Sequence, residues 1–297
     1  MPPAPAVAMG PHMSEAIVTQ AAFVSALARA SDIELSAYVL EPDSPVTRAL
    51  ESAGDRGASV SLVLEADPYA GRTGTDDLAA RNRRVAAALE AHGARVTWTV
   101  PGLPVHMKAA VVDGTAFLDD RNWPADRRDT IVATTDPDDV GVTRSALEGK
   151  PASDRHLATE KRAALALEAR SIRFGTGDRV DVETESFGYS AVSKALVARA
   201  QAGAHVRLLV AKREFDEGGR TERASLRRLE RAGVEVRIVA NDEKLAIAGD
   251  RAWAGSANAT WSPGPMLDWG LATRRPDLVA GIEAAFQRNW EAGAPAP

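Results

Sequence analysis

The chain has 297 residues, 45% of them apolar and 26% charged, with a net charge of −5. That length suits about two domains and that apolar content builds globular cores, which excludes a disordered or fibrous chain. With no cysteine, disulfides, thiolate metal sites and thiol nucleophiles are excluded, and no apolar run reaches membrane-spanning length.

Residues 1–13 are rich in Pro and Ala and read as a loose tail, in which Gly10-Pro11-His12-Met13 has the look of a cloning remnant. No basic stretch leads into an apolar one, so no secretory signal is expected and the location expected is cytoplasmic. Periodicity then predicts a helix over 14–30, a strand 32–39, a helix 44–55 and a strand 58–65. A helix 76–92 and strands 94–100, 106–112, 115–119 and 129–135 follow, before a helix 137–147. The Gly, Pro and Ser of Glu148 to Arg155 mark a linker, so the lobes are set at 14–150 and 151–297. In the second lobe helices are predicted over 156–170, 189–202, 219–232 and 276–290. Its strands are 179–187, 204–211, 233–240, 244–248, 251–255 and 268–273. Both lobes read as α/β, each a mixed sheet flanked by helices.

The two lobes are copies. Gly57-Ala58-Ser59-Val60 aligns with Gly203-Ala204-His205-Val206, and Leu89-Glu90-Ala91-His92-Gly93 with Leu229-Glu230-Arg231-Ala232-Gly233. Asp136-Pro137-Asp138 aligns with Arg275-Pro276-Asp277, each placing proline at a helix start. Charge is divided unevenly: residues 1–150 carry 14 basic and 21 acidic side chains, and residues 151–297 carry 22 and 20.

The chemistry concentrates in His106-Met107-Lys108 through Asp113, followed by Asn122. Residues i and i+2 of a strand share a face, so His106 and Lys108 project together. A nucleophile or proton carrier beside a fixed cation is what an anionic phosphate ester requires. Asp113 has the opposite parity and precedes Gly114, a hairpin signal, so it reads as a structural turn residue.

These residues resemble the phospholipase D superfamily, whose mark is His-x-Lys-x4-Asp followed by Gly-Ser-x-Asn. The first half supplies His106, Lys108, Asp113 and Asn122; the second supplies Lys244 and Gly255-Ser256-Ala257-Asn258. The resemblance implies two pseudo-symmetric lobes with one site at their interface, and a phosphodiester hydrolysed or transferred through a phosphohistidine at His106. It implies that Lys108, Lys244, Asn122, Ser256 and Asn258 hold the phosphate. Asp129 takes the place of the acid that orients the histidine, as Asp268 does in the second half. No cofactor and no metal are implied. Two departures stand out: the second histidine is replaced by Asp242, and Gly-Ser in the first half by Asp119-Asp120. Asp242 could serve as the acid if burial or neighbouring carboxylates raised its pKa.

A phospholipid-type substrate is slightly favoured over nucleic acid by the acidic total. The alternatives are a nuclease of the same family and an inactive phosphate-binding relative. Arg220, Arg223, Arg227 and Arg231 recur at helical spacing; they form either an anion-binding stripe or, as charge runs more often do, a solvated helix face. A monomer is expected over a homodimer that would pair two copies of His106. Trp123 and Trp261 either wall the cleft or belong to the core, the core being favoured, and Trp98, Trp253, Trp269 and Trp290 read as structural.

Overall fold

The computed structural model describes residues 15–69, 77–123, 130–217 and 219–296. The chain divides into two compact units, with the boundary between Ala152 and Ser153. In the first, β1 (Glu15–Val18), α1 (Gln20–Leu27), β2 (Asp32–Ala37), α2 (Pro45–Asp55), β3 (Ser59–Leu64), α3 (Leu78–Ala91) and β4 (Arg95–Trp98) precede β5 (Lys108–Val112), β6 (Thr115–Asp119), β7 (Ile131–Thr134) and α4 (Pro137–Leu147). The second opens with β8 (Leu157–Ala158), α5 (Lys161–Phe174), β9 (Arg179–Thr184), α6 (Ala191–Gln201), β10 (His205–Ala211), α7 (Lys212–Glu217) and α8 (Gly219–Arg231). It continues through β11 (Glu235–Val239), β12 (Leu245–Ala248), β13 (Arg251–Gly255), β14 (Gly270–Thr273), α9 (Pro276–Ala292) and β15 (Ala294–Pro295).

Among the described residues the first unit forms one seven-stranded sheet, in the order β1-β7-β6-β5-β2-β3-β4. The second, taken from β8, runs β8-β14-β13-β12-β9-β10-β11, with β15 added at the edge. In each, three strands are parallel (β2, β3 and β4; β9, β10 and β11) and the rest antiparallel. The repeat seen in the residues is thus a repeat of topology. One face of the first sheet buries Ile33, Leu35, Val60, Leu62, Ala110 and Val112 under Phe23, Leu50 and Leu89 from α1, α2 and α3. In the second unit Val180, Val182, Leu208 and Ala246 lie under Ile172, Leu196 and Leu229 from α5, α6 and α8. On the second unit's other face the Arg207 guanidinium reaches both Asp181 carboxylate oxygens, at 2.7 and 2.9 Å, and lies over Trp290 of α9. That arrangement anchors the helix by charge and by aromatic contact.

Three predicted elements change. The helix expected over 14–30 begins as β1, which pairs with β7, and the one over 156–170 begins as β8 with α5 extending to Phe174. These short strands cover the edges of β7 and β14, a tertiary pairing that four and two residues beside a helix do not advertise. The predicted surface helix 219–232 is preceded by a separate helix, α7. Trp253, Trp269 and Trp290 are buried, but Trp98 on edge strand β4 is 38% exposed. Trp123 belongs to the core, stacked on Phe23 at 4.4 Å, while Trp261 is 69% exposed.

The hairpins after β5 and β12 explain one apparent loss of motif. Asp113 and Gly114 both have positive φ, and the Asp113 carboxylate accepts from the Ser31 and Asp32 N–H groups at the start of β2. In the second unit the acid has moved one place. Gly249 takes the positive φ and Asp250 accepts from the N–H and hydroxyl of Thr176, just ahead of β9. The Thr176 N–H, followed by Arg274, holds Asp250 down to about 2. Gly249 is demanded by contact as well as by φ, since a Cβ there would lie 1.8 Å from the Thr176 carbonyl oxygen.

Burial makes Glu222 a pH-sensitive prop. Glu222 on α8 accepts from the Phe187 N–H at 2.8 Å, and burial pushes its carboxyl up to about 7, against an ordinary 4.5. The folded state therefore binds the proton more tightly than the unfolded chain, so stability falls as pH rises from about 4.5 to about 7. Glu222→Gln keeps the acceptor without the charge. It is expected to raise unfolding free energy at pH 8 by about 3 kcal/mol, with the gain disappearing near pH 4.5. Urea titrations at the two pH values check this.

Candidate functional site

In the first unit the segment leading into β5 is tied down on both sides of His106. The Val105 N–H donates to the Glu65 carboxylate at 2.8 Å, and the Met107 carbonyl accepts from the Ser36 hydroxyl at 3.1 Å. His106 lies just ahead of the strand, not within it, yet its Nε2 is 3.2 Å from Lys108 Nζ. An ammonium only donates, so His106 accepts at Nε2 and carries its proton on Nδ1. Tyr38, one residue past β2, packs on both. Its ring meets the imidazole edge-on at 4.9 Å, and Lys108 Nζ stands 5.4 Å from its centroid. Lys108 is only 1% exposed, so its charge acts in a medium of low polarity, where it is felt more strongly than at the surface.

The segment after β6 is shaped by Asp119, whose carboxylate accepts from the N–H groups of Arg121 and Trp123. Trp123 there has a φ of +50°. This carboxylate replaces the glycine of the second unit, where a Cβ on Gly255 would lie 2.4 Å from the Trp253 ring and 2.6 Å from the Trp269 carbonyl oxygen. Asp120 is fully buried. Asn122 is half-buried and its Oδ1 is buried without a hydrogen-bond partner.

The second unit assembles a related cluster. Lys244, 2% exposed, directs Nζ to the Asp242 carbonyl at 3.0 Å and to Glu185 Oε2 at 3.2 Å. Asn258 Nδ2 donates to the same Glu185 oxygen at 3.1 Å. Ser256 is fully buried; its hydroxyl donates to Asp268 at 2.8 Å and accepts from the Trp269 N–H at 3.0 Å, so it orders the turn between β13 and β14. Lys161, the first residue of α5, donates to the Thr260 hydroxyl at 3.1 Å. Burial lowers the Lys161 ammonium, against the opposing pull of Asp268, Glu185 and Glu160. Behind Lys244, Glu183 and Glu243 are buried together around the Asn289 amide. Burial first, then the charge of Glu243, pushes the Glu183 carboxyl well up.

The predicted residues therefore gather within each unit: His106 and Lys108 in the first, with Asn122 on the segment after β6, and Lys244 and Asn258 on one Glu185 oxygen in the second. Asp113 is a hairpin tie. Asp242 precedes Lys244 and is partly exposed. Asp129 lies outside the described residues. Arg223, Arg227 and Arg231 are exposed on α8, and the Arg220 side chain lies outside the description. Among the described residues no helix is long and apolar enough to cross a membrane. Sequence reasoning missed Tyr38, Lys161 and Glu185. Only the alignment of β2 with β9, which equates Tyr38 with Glu185, could have pointed to two of them.

Residues 175–290 match the family model described as cardiolipin synthase, PLD-like domain. Phosphatidylserine synthase from Haemophilus influenzae Rd KW20 is similar in structure with a TM-score of 0.65 at 11% identity, over 95% of this chain and 87% of that one. Polyphosphate kinase from Porphyromonas gingivalis gives a TM-score of 0.63 at 18% identity, over 93% of this chain and 50% of that one. The chain thus spans about half the length of that kinase. The phospholipase D family member Nuc from Salmonella typhimurium matches 50% of this chain and 99% of its own, at 19% identity and a TM-score of 0.42. No curated protein sequence matches. At these identities the two likenesses that span this chain concern the fold.

Proposed function

We propose that the chain belongs to the phospholipase D superfamily, whose PLD-like domain model matches residues 175–290, and that it hydrolyses or transfers a phosphodiester through a covalent phosphohistidine at His106. The observation that carries this reading is the 3.2 Å contact between His106 Nε2 and the buried Lys108 ammonium. With its proton on Nδ1, the imidazole holds its lone pair at Nε2, and that pair becomes nucleophilic when an incoming phosphate oxygen draws the Lys108 ammonium to itself. The nitrogen attacks phosphorus, an N–P bond forms, and the bond from phosphorus to the leaving oxygen breaks with its electron pair. Charge building on the non-bridging oxygens is met by Lys108 and by the Asn122 amide. A proton must reach the leaving oxygen, and Asp242, equivalent in the repeat to His106, is the candidate donor. Water or an alcohol then attacks phosphorus, gives its proton to the carboxylate left by the first step, breaks the N–P bond and returns the imidazole. Asp129 takes the orienting role toward His106 in this scheme, while Lys244 and Asn258 form the second unit's phosphate-holding pair; Ser256, expected in that set, commits its hydroxyl proton to Asp268.

A phospholipid-type diester is the favoured substrate class. The exposed Arg223, Arg227 and Arg231 on α8 support a nuclease as the second reading. A panel of generic diesters, phospholipid vesicles and single- and double-stranded DNA separates them. The favoured outcome is turnover of a lipid diester with little dependence on salt. DNA cleavage with a steep salt dependence establishes the nuclease, and no turnover with no trapped phosphoryl group rejects both.

A further inference from the structure

The residue that separates the two half-sites is neither the missing histidine nor the altered Gly-Ser pair, but the one just past the first strand of each parallel set. In the first unit Ile33 of β2 pairs with Val112 of β5; in the second Val180 of β9 pairs with Ala248 of β12. Val112 and Ala248 are equivalent in the repeat, so five residues on from each pairing, Tyr38 and Glu185 occupy one position. Tyr38 sets an uncharged ring against His106 and Lys108. Glu185 sets a carboxylate oxygen against Lys244 at 3.2 Å and Asn258 at 3.1 Å. Those two donors are the second unit's counterparts of Lys108 and Asn122, and both point at one anionic oxygen.

We infer that Glu185 is an internal anion occupying the phosphate cradle of the second unit, and that an external phosphate reaches Lys244 and Asn258 only by displacing it. This deepens the phosphate-holding role proposed above for those two residues and rests on it. The chemistry is consistent on three counts. A lysine ammonium 2% exposed requires a counter-charge, and Glu185 supplies it when no ligand is there. The Glu185 side chain is 21% exposed, so it has a route out to solvent that the buried lysine lacks. Lys244 and the Asn258 amide both direct N–H groups at one Glu185 oxygen, the arrangement in which donors meet an anion. That assigns it the part of a competing anion and not that of a proton donor.

The test is inorganic phosphate binding to the full chain, followed by calorimetry and by phosphorus NMR line width. Glu185→Ala and Glu185→Tyr, the latter importing the first unit's residue, are expected to bind phosphate at least about tenfold more tightly than the unaltered chain, since the anion that competes for Lys244 and Asn258 is gone. Adding Lys244→Met to either variant is expected to abolish the gain. Circular dichroism identifies any variant that does not fold, and Glu185→Gln, which keeps the side-chain shape, then provides the same comparison. Unchanged affinity in the folded variants overturns the inference, as does a gain that survives Lys244→Met. The readout needs no turnover. If phosphate binding tightens while His106 never carries a phosphoryl group, the proposed reaction fails and this inference stands. If the phosphohistidine forms while affinity is unmoved, this inference alone fails.

Discussion

Replacing His106 with alanine is expected to lower phosphodiester turnover by about 10⁴-fold or more, because it removes the atom that forms the covalent bond. His106→Asn is expected to fall equally far: an amide can hydrogen-bond to Lys108 but cannot accept and release a phosphoryl group. The measurement is initial rate on the best substrate of the panel, with phosphorus NMR of quenched enzyme. The unaltered chain is expected to give an acid-labile phosphohistidine signal, and both variants to give none. A His106→Ala protein with full turnover would remove the mechanism. Stability is expected to change little, because His106 is half-buried just ahead of β5 and the chain on either side is held by Glu65 and Ser36.

Lys108→Met has the second-largest expected effect, about 10²–10³-fold in kcat, the usual loss when a preorganised charge at the transition state is removed. Stability is expected to fall as well, by up to about 3–5 kcal/mol, because Lys108 is 1% exposed and removing one member of a buried charged set leaves its partners uncompensated. Lys108→Arg is expected not to restore rate, because a planar guanidinium cannot reproduce a compact ammonium 3.2 Å from the imidazole. Parallel measurement of kcat and of the urea midpoint checks this. A variant that is folded at the assay temperature and slower by that factor assigns the lysine to function; full turnover in a folded variant removes it from the mechanism.

Much of the architecture could be read from the residues. Alternating apolar runs located the central strands, and Pro137 and Pro276 marked the starts of α4 and α9 where the structure has them. Asp119 shapes the segment after β6, and Asp136 caps α4 by accepting from the Asp138 N–H. The strands β1 and β8 were not legible, because four and two residues abutting a helix carry too little periodicity to be told from it.

The candidate site was legible where its members are close in sequence and obscure where they are not. His106 and Lys108 are two residues apart, so strand parity alone brings them together, even though the strand begins one residue after Met107. Glu185 lies 73 residues from Asn258, and Lys161 lies 99 residues from Thr260. Neither belongs to any local pattern. The apparent loss of the motif's Asp in the second half was likewise a limit of linear alignment. Asp250 does in the second hairpin what Asp113 does in the first, from the neighbouring position, because the turn fixes where a carboxylate can reach and not which of its two residues carries it.

The sequence by itself determined that this chain is a duplicated α/β protein without thiol chemistry, and that one half keeps a histidine and lysine in register. Those are consequences of composition and of periods of two and 3.6 residues, which any stretch of chain expresses locally. Only the tertiary structure decided that Nε2 of His106 faces an ammonium, that Ser256 serves Asp268, and that Glu185 sits where Lys244 and Asn258 converge. Distance and burial between residues far apart in the chain set those partnerships. A buried cation takes whatever counter-charge the fold brings to it, wherever in the sequence that charge lies.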